Sequence, residues 1–113
     1  MNEIEIPILK KSYDLYKLFH EYRKVIPKQD RYTIWERSEN AVLDMIECFL
    51  AAAYSKHANK QLLLEKGSSK LNLFRLLIRL MKDTKSLDIK KYLALQVLID
   101  EIGRMLGGWI KSQ

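Results

Sequence analysis

The chain has little of what chemistry usually needs. Cys48 is the one cysteine among 113 residues, so no intrachain disulfide can form. A lone thiol flanked by apolar residues in a helical pattern reads as buried and inert, in a cytoplasmic setting. There are two prolines, Pro7 and Pro27, and no Ser/Gly-rich linker, internal repeat or low-complexity stretch. A single domain over residues 1–113 is therefore expected. There are two histidines, His20 and His57. Neither stands at metal-ligand spacing from a cysteine or another histidine, and no Glu-x-x-His pair occurs, so no metal or other cofactor is expected. The longest apolar run, Cys48 to Tyr54, is far short of the roughly 18–20 residues that span a bilayer. The acidic start Met1-Asn2-Glu3-Ile4-Glu5 has neither the basic opening nor the apolar run of a secretory signal. No membrane partner is expected.

Catalytic patterns are also missing. Helical ribonucleases place an arginine a few residues before a histidine. Here His57 is preceded at that distance by Leu50, Ala51 and Ala52, and His20 by Asp14, Leu15 and Tyr16. No strand leads into a glycine-rich phosphate loop. Glu36, Glu39, Asp44 and Glu47 read as a solvated helix face. No catalytic residue is assigned and an enzyme is not expected.

Positive charge is present, and it is localised. The net charge is +6, from 20 basic and 14 acidic residues. Lys56, Lys60, Lys66, Lys70, Arg75, Arg79 and Lys82 lie in one segment, opposed along the sequence only by Glu65, so this segment carries the whole excess. A localised positive field favours polyanions, nucleic acid before anionic membrane; a solvated helix face is the bland alternative. Arg75, Arg79 and Lys82 share one side of a helix, and Lys66 and Lys70 lie about 180° away. Binding would then be phosphate-directed and weakly sequence-selective, with the first three residues as the leading contacts. Lys10, Lys11 and Lys17 are the fallback site.

Four amphipathic helices are expected, and no alternating strand pattern occurs. The first runs from about Pro7 to Val25, with Ile8, Leu15, Tyr16, Phe19 and Tyr22 on one face and Tyr13 widening it. The second starts near Asp30 or at Thr33, both plausible N-caps, and carries Ile34, Trp35, Ala41, Val42, Met45, Phe49, Ala52 and Ala53. The third covers about Lys60 to Lys82 through Leu64, Leu71, Phe74, Ile78 and Met81, broadened by Leu77 and Leu80, with Gly67-Ser68-Ser69 a soft spot. Ser86 or Asp88 caps the fourth, which passes through Tyr92, Leu95, Ile99, Ile102, Leu106 and Trp109 to about Ile110. Short turns between such helices predict an all-α, antiparallel up-down-up-down four-helix bundle.

Three of the four glycines, Gly103, Gly107 and Gly108, cluster beside Trp109 at the end of the fourth helix. Each costs a helix about 1 kcal/mol relative to alanine. Close helix approach, a helix stop, or packing of Trp109 would each account for them. Trp109 is either an anchor between subunits or a cap on the bundle's own core.

Two segments then stand together in order: Ile26-Pro27-Lys28-Gln29-Asp30-Arg31-Tyr32-Thr33, and Glu101-Ile102-Gly103-Arg104-Met105-Leu106-Gly107-Gly108-Trp109. From about Leu15 onward the chain resembles the accessory variability determinant (Avd) family of diversity-generating retroelements. That family is related to four-helix-bundle proteins encoded in 23S rRNA intervening sequences. The latter carry an Asn-Ile-Ala-Glu-Gly-like stretch late in the second helix. Here that stretch reads Ile46-Glu47-Cys48-Phe49-Leu50-Ala51-Ala52-Ala53, which favours the Avd branch. The resemblance implies a non-catalytic accessory protein of bacterial or phage origin. It would form a pentameric barrel of four-helix bundles and bind the element's reverse transcriptase and template RNA, with cDNA a second polyanion, during mutagenic retrohoming. Arg31, Tyr32, Gly103, Arg104, Gly107, Gly108 and Trp109 would be its packing or oligomer motif, with Arg31 and Arg104 structural. The competing readings are an intervening-sequence-type bundle, a purely structural oligomer and, last, an enzyme.

Overall fold

The computed structural model describes residues 5–113; the acidic start read from Met1 to Ile4 lies outside them. The described residues form helices α1 (Glu5–Tyr22), α2 (Lys28–Arg31), α3 (Ile34–Ala53), α4 (His57–Asp83) and α5 (Ile89–Lys111). A 3-10 turn, Arg23–Val25, extends α1. No strand occurs among them. A helix of 27 residues is about 40 Å long, which matches the long axis of the 42 × 22 × 19 Å body. The four long helices therefore lie side by side along it. α1 packs on α3 and α5, and α4 packs on the same two. The short links after α3 and α4 leave no room for a crossover, so consecutive long helices run antiparallel.

The buried stripes are those that the three- and four-residue spacing implies. Ile8, Leu15 and Phe19 meet Trp35, Val42, Met45 and Phe49, and these meet Leu64, Phe74, Ile78, Leu95, Ile99 and Ile102. Two small polar residues share the stripes. The Ser12 hydroxyl donates to the Ile8 carbonyl at 2.8 Å and the Ser38 hydroxyl to that of Ile34 at 2.7 Å, so each is satisfied on its own helix. Aromatic rings pack both between neighbours and across the diagonal. Phe19 stacks on Trp35 at 5.1 Å and takes Phe74 edge-on at 5.1 Å. Two stripe residues turn outward instead: Tyr13 is 58% exposed and Leu80 is 42% exposed. Each sits at the edge of its apolar arc, beyond what the neighbouring helix covers.

The candidate caps sort themselves by tertiary contact. Thr33 stands at the N-cap of α3 but makes no side-chain cap bond. Its hydroxyl points back to the carbonyls of Gln29 and Asp30, because α2 occupies the turn before it. Asp30 caps nothing: its carboxylate accepts from the Ser86 hydroxyl at 2.8 Å and ties α2 to the α4–α5 turn. That leaves Asp88 as the cap of α5, accepting from the Lys91 N–H.

Gly67 is not a soft spot. It is buried within an unbroken α4, and a Cβ there would stand 2.6 Å from Phe49 Cε1 and 3.4 Å from Cys48 Cβ. Glycine is needed because the Phe49 ring of α3 lies against the α4 backbone here, and Phe49 is fully buried and cannot step aside. Overpacking costs about 1–3 kcal/mol against about 1 kcal/mol gained in helix propensity. Gly67→Ala is therefore expected to lower unfolding stability by about 1 kcal/mol in urea titration. Adding Phe49→Leu should give less than the sum of the two single losses.

Candidate interaction surfaces

The first of the two motif segments forms the turn between α1 and α3. Pro27 ends the 3-10 turn and α2 carries Arg31 back over it. Arg31 Nε donates to the Ile26 carbonyl at 2.9 Å and Nη2 to the Lys24 carbonyl at 3.3 Å. The fork closes the connection on carbonyls that no helix satisfies. Tyr32 beside it is exposed, with the Arg23 guanidinium 5.6 Å from its ring centre.

The second element is the end of α5. Trp109 is 0% exposed and lies 6.3 Å from Phe49. It belongs to the protomer's own core, which removes it as an anchor between subunits. The glycines do not stop the helix, which continues to Lys111. Gly103 would make only ordinary contact with Arg75 and Leu71, and Gly107 and Gly108 face open space. Arg104 is exposed and bonds to no described residue. Gly107 and Arg104 continue an outward row, Ile89, Leu93, Val97, Asp100, Arg104, Gly107 and Lys111, at steps of three and four. Its apolar half, Ile89, Leu93 and Val97, is exposed. Similar rows run along α3 (Leu43, Leu50 and, just past its end, Tyr54) and α4 (Leu62, Leu76, Leu80).

The basic residues of α4 do not form one bare face. Arg75 pairs with Asp100 of α5 at 2.8 Å. Lys82 sits 3.4 Å from Asp83 and 4.9 Å from the centre of the Tyr92 ring. Lys70 reaches Asp44 of α3 at 3.5 Å. With Lys66 it lines a shallow cavity of about 300 Å³ that also holds Glu47 and Cys48, so cations and carboxylates balance there. Lys56 is exposed at the N-terminus of α4, and Lys60 lies one turn on, half-buried. Arg79 is the fully outward member of the leading trio. Folding thus supplies counterions from other helices that the linear count of one opposing glutamate misses. Two acids read as solvated are among the partners or their equivalents: Asp44, and Glu39, which accepts from the Tyr16 hydroxyl at 2.9 Å.

No group of three or more histidine, cysteine or acidic side chains among the described residues could hold a metal ion. No described helix is long and apolar enough to cross a membrane. Burial pushes the Cys48 thiol above its ordinary value, outweighing the pull of Lys66.

Three expectations follow. Arg31→Lys loses the two-carbonyl fork and should lower stability by about 1 kcal/mol. Arg104→Lys, with no partner in the protomer, should change chain stability by less than about 0.5 kcal/mol; thermal melts of both variants check this. A raised thiol pKa leaves less thiolate at pH 8 than in free cysteine. Cys48 should therefore react with an aromatic disulfide reagent more slowly than glutathione does, and faster on unfolding in urea.

The comparisons with known proteins bear on the same two elements. No curated protein matches the chain. The model of the family described as bAvd-like matches residues 6–113, which takes in the Arg31 turn, the Gly103–Trp109 ending and most of α1 ahead of Leu15. With nearly its whole length matched, the chain belongs to the bAvd-like family.

Proposed function

We propose that this protein is a non-catalytic accessory subunit of a diversity-generating retroelement. It assembles as a homopentamer and binds the element's reverse transcriptase and template RNA or cDNA. The observation that carries the reading is the family match over residues 6–113. The outward rows support the assembly part. The helix-weakening pair Gly107 and Gly108 lies on an open face, and Leu93 and Val97 continue that face as exposed apolar side chains, a surface suited to a second helix. A bare backbone strip lets a second helix approach closely. The α3 row is acidic, with Glu36 and Glu47 exposed, and the α5 row ends in Arg104 and Lys111. Joining unlike rows head to tail generates a closed ring when the rotation closes. The net charge of +6 supports the polyanion part.

Multi-angle light scattering at micromolar concentration should give five times the chain mass, and Gly107→Leu should reduce it towards one while leaving the helical melt intact. A monomeric wild type would overturn the assembly. For RNA, log affinity should fall with log salt by about 0.7 for each phosphate neutralised on a single strand. Absence of RNA binding at low salt would overturn that part.

A further inference from the structure

We propose that the outer face of α1 is a binding surface for single-stranded nucleic acid, with Tyr13 as a stacking platform and Lys10, Lys17 and Lys24 as phosphate contacts. The proposal rests on the nucleic-acid part of the function above and gives it a place. Lys10, Tyr13, Lys17 and His20 recur at steps of three and four, so they form one outward row on α1, and Lys24 follows in the 3-10 turn just past its end. Lys10 and Lys17 are seven residues apart, about 10.5 Å along the helix. The Lys10 and Lys17 ammonium groups stand 5.6 and 5.4 Å from the centre of the Tyr13 ring, and that ring is more than half exposed. Lys17 and Lys24 are exposed and form no ion pair with a described acid, although Lys17, after Lys10, helps to hold the Asp14 carboxyl below its ordinary value. Lys10 is bonded to Asp14 at 2.7 Å; Glu21 is the other acid on this helix's exposed side. His20 lies 5.9 Å from Tyr16 and adds a second ring at the far end of the row.

The pattern is chemically selective. An aromatic ring between cations suits a strand whose bases have π faces and whose phosphates carry charge. An acidic protein would use the lysines and leave Tyr13 idle. An anionic membrane needs a broad apolar face, and this row offers Ile6 and Tyr13 alone. The basic residues of α4 have no such ring in the open: the Tyr92 ring beside Lys82 is half-buried in the groove towards α5. The apolar rows of α3, α4 and α5 are the ones that call for a protein neighbour, which leaves α1 facing outward in an assembly.

Fluorescence anisotropy with a labelled 20-nucleotide single-stranded RNA tests the proposal on the full-length oligomer. The substituted side chains are exposed, so melts should be unchanged. Tyr13→Ala should weaken binding about tenfold with the salt slope unaltered. Lys17→Gln with Lys24→Gln should shallow the slope by about 1.4. Both changes should affect a blunt duplex RNA less than the single strand. If the wild type binds RNA, yet these variants bind as well as it does and Arg79→Gln is the one that weakens, the α1 surface is wrong and the accessory function stands. If the wild type binds polyglutamate as tightly as RNA, and Tyr13→Ala changes neither, the face is a generic acidic-protein dock and the proposal fails. If the wild type binds no RNA at low salt, the nucleic-acid function and this surface fall together.

Discussion

The close approach of α3 and α4 at Gly67 governs the rest of the molecule. With no side chain at that point, the Phe49 ring can lie directly against the α4 backbone. Phe49 is then placed to meet Trp109 from α5, which locks the end of the last helix onto the second long one. The family motif at the chain end is thereby half core and half surface. Trp109 is inside, and the glycines around it are outside. A larger residue at Gly67 would press on Phe49, which has no room to yield, and strain the seat of Trp109 at the same time.

A polar pair spans each groove between neighbouring helices. Tyr16 and Glu39 join α1 to α3, Asp44 and Lys70 join α3 to α4, Arg75 and Asp100 join α4 to α5, and Lys11 and Glu101 join α5 to α1 at 2.7 Å. These pairs are partly solvated and each contributes little to stability. Their larger effect is on the electrostatic map. They consume basic side chains that look free in the linear sequence, three of them among the residues first assigned to polyanion binding or its fallback. Exposed cations that pair with no described carboxylate remain on several faces, among them Arg79 on α4, Lys17 on α1, Lys24 just past it, Arg37 on α3, Lys56 before α4, and Arg104 and Lys111 on the glycine row.

Fold class, helix number and most of the core were legible because burial follows a 3.6-residue period, and that period depends on neighbours along the chain alone. The errors lie at the margins of the stripes. Tyr13 and Leu80 have the right angle for the edge of a buried face, but how wide that face is depends on how far the adjacent helix reaches over it. Caps were legible as residue types and not as roles. Asp30 and Ser86 are both good cap residues, and they bond to each other across the turn instead.

The functional surfaces divide in the same way. The sequence by itself determined a helical protein with no recognisable catalytic pattern, an excess of positive charge, a proline-led turn before the second long helix and a glycine-rich last helix, since all of these are properties of composition and local spacing. Only the tertiary structure decided that Gly67 is a point of contact while Gly107 and Gly108 are bare, that Trp109 is core, and that Arg75 and Lys70 already hold carboxylates while Lys17 stands open beside Tyr13. The reason is physical. Whether a side chain is covered, or a charge is answered, is set by groups 18 to 90 residues away in the chain, as for Gly67 with Phe49 and Lys11 with Glu101, and no periodicity records which of them arrive.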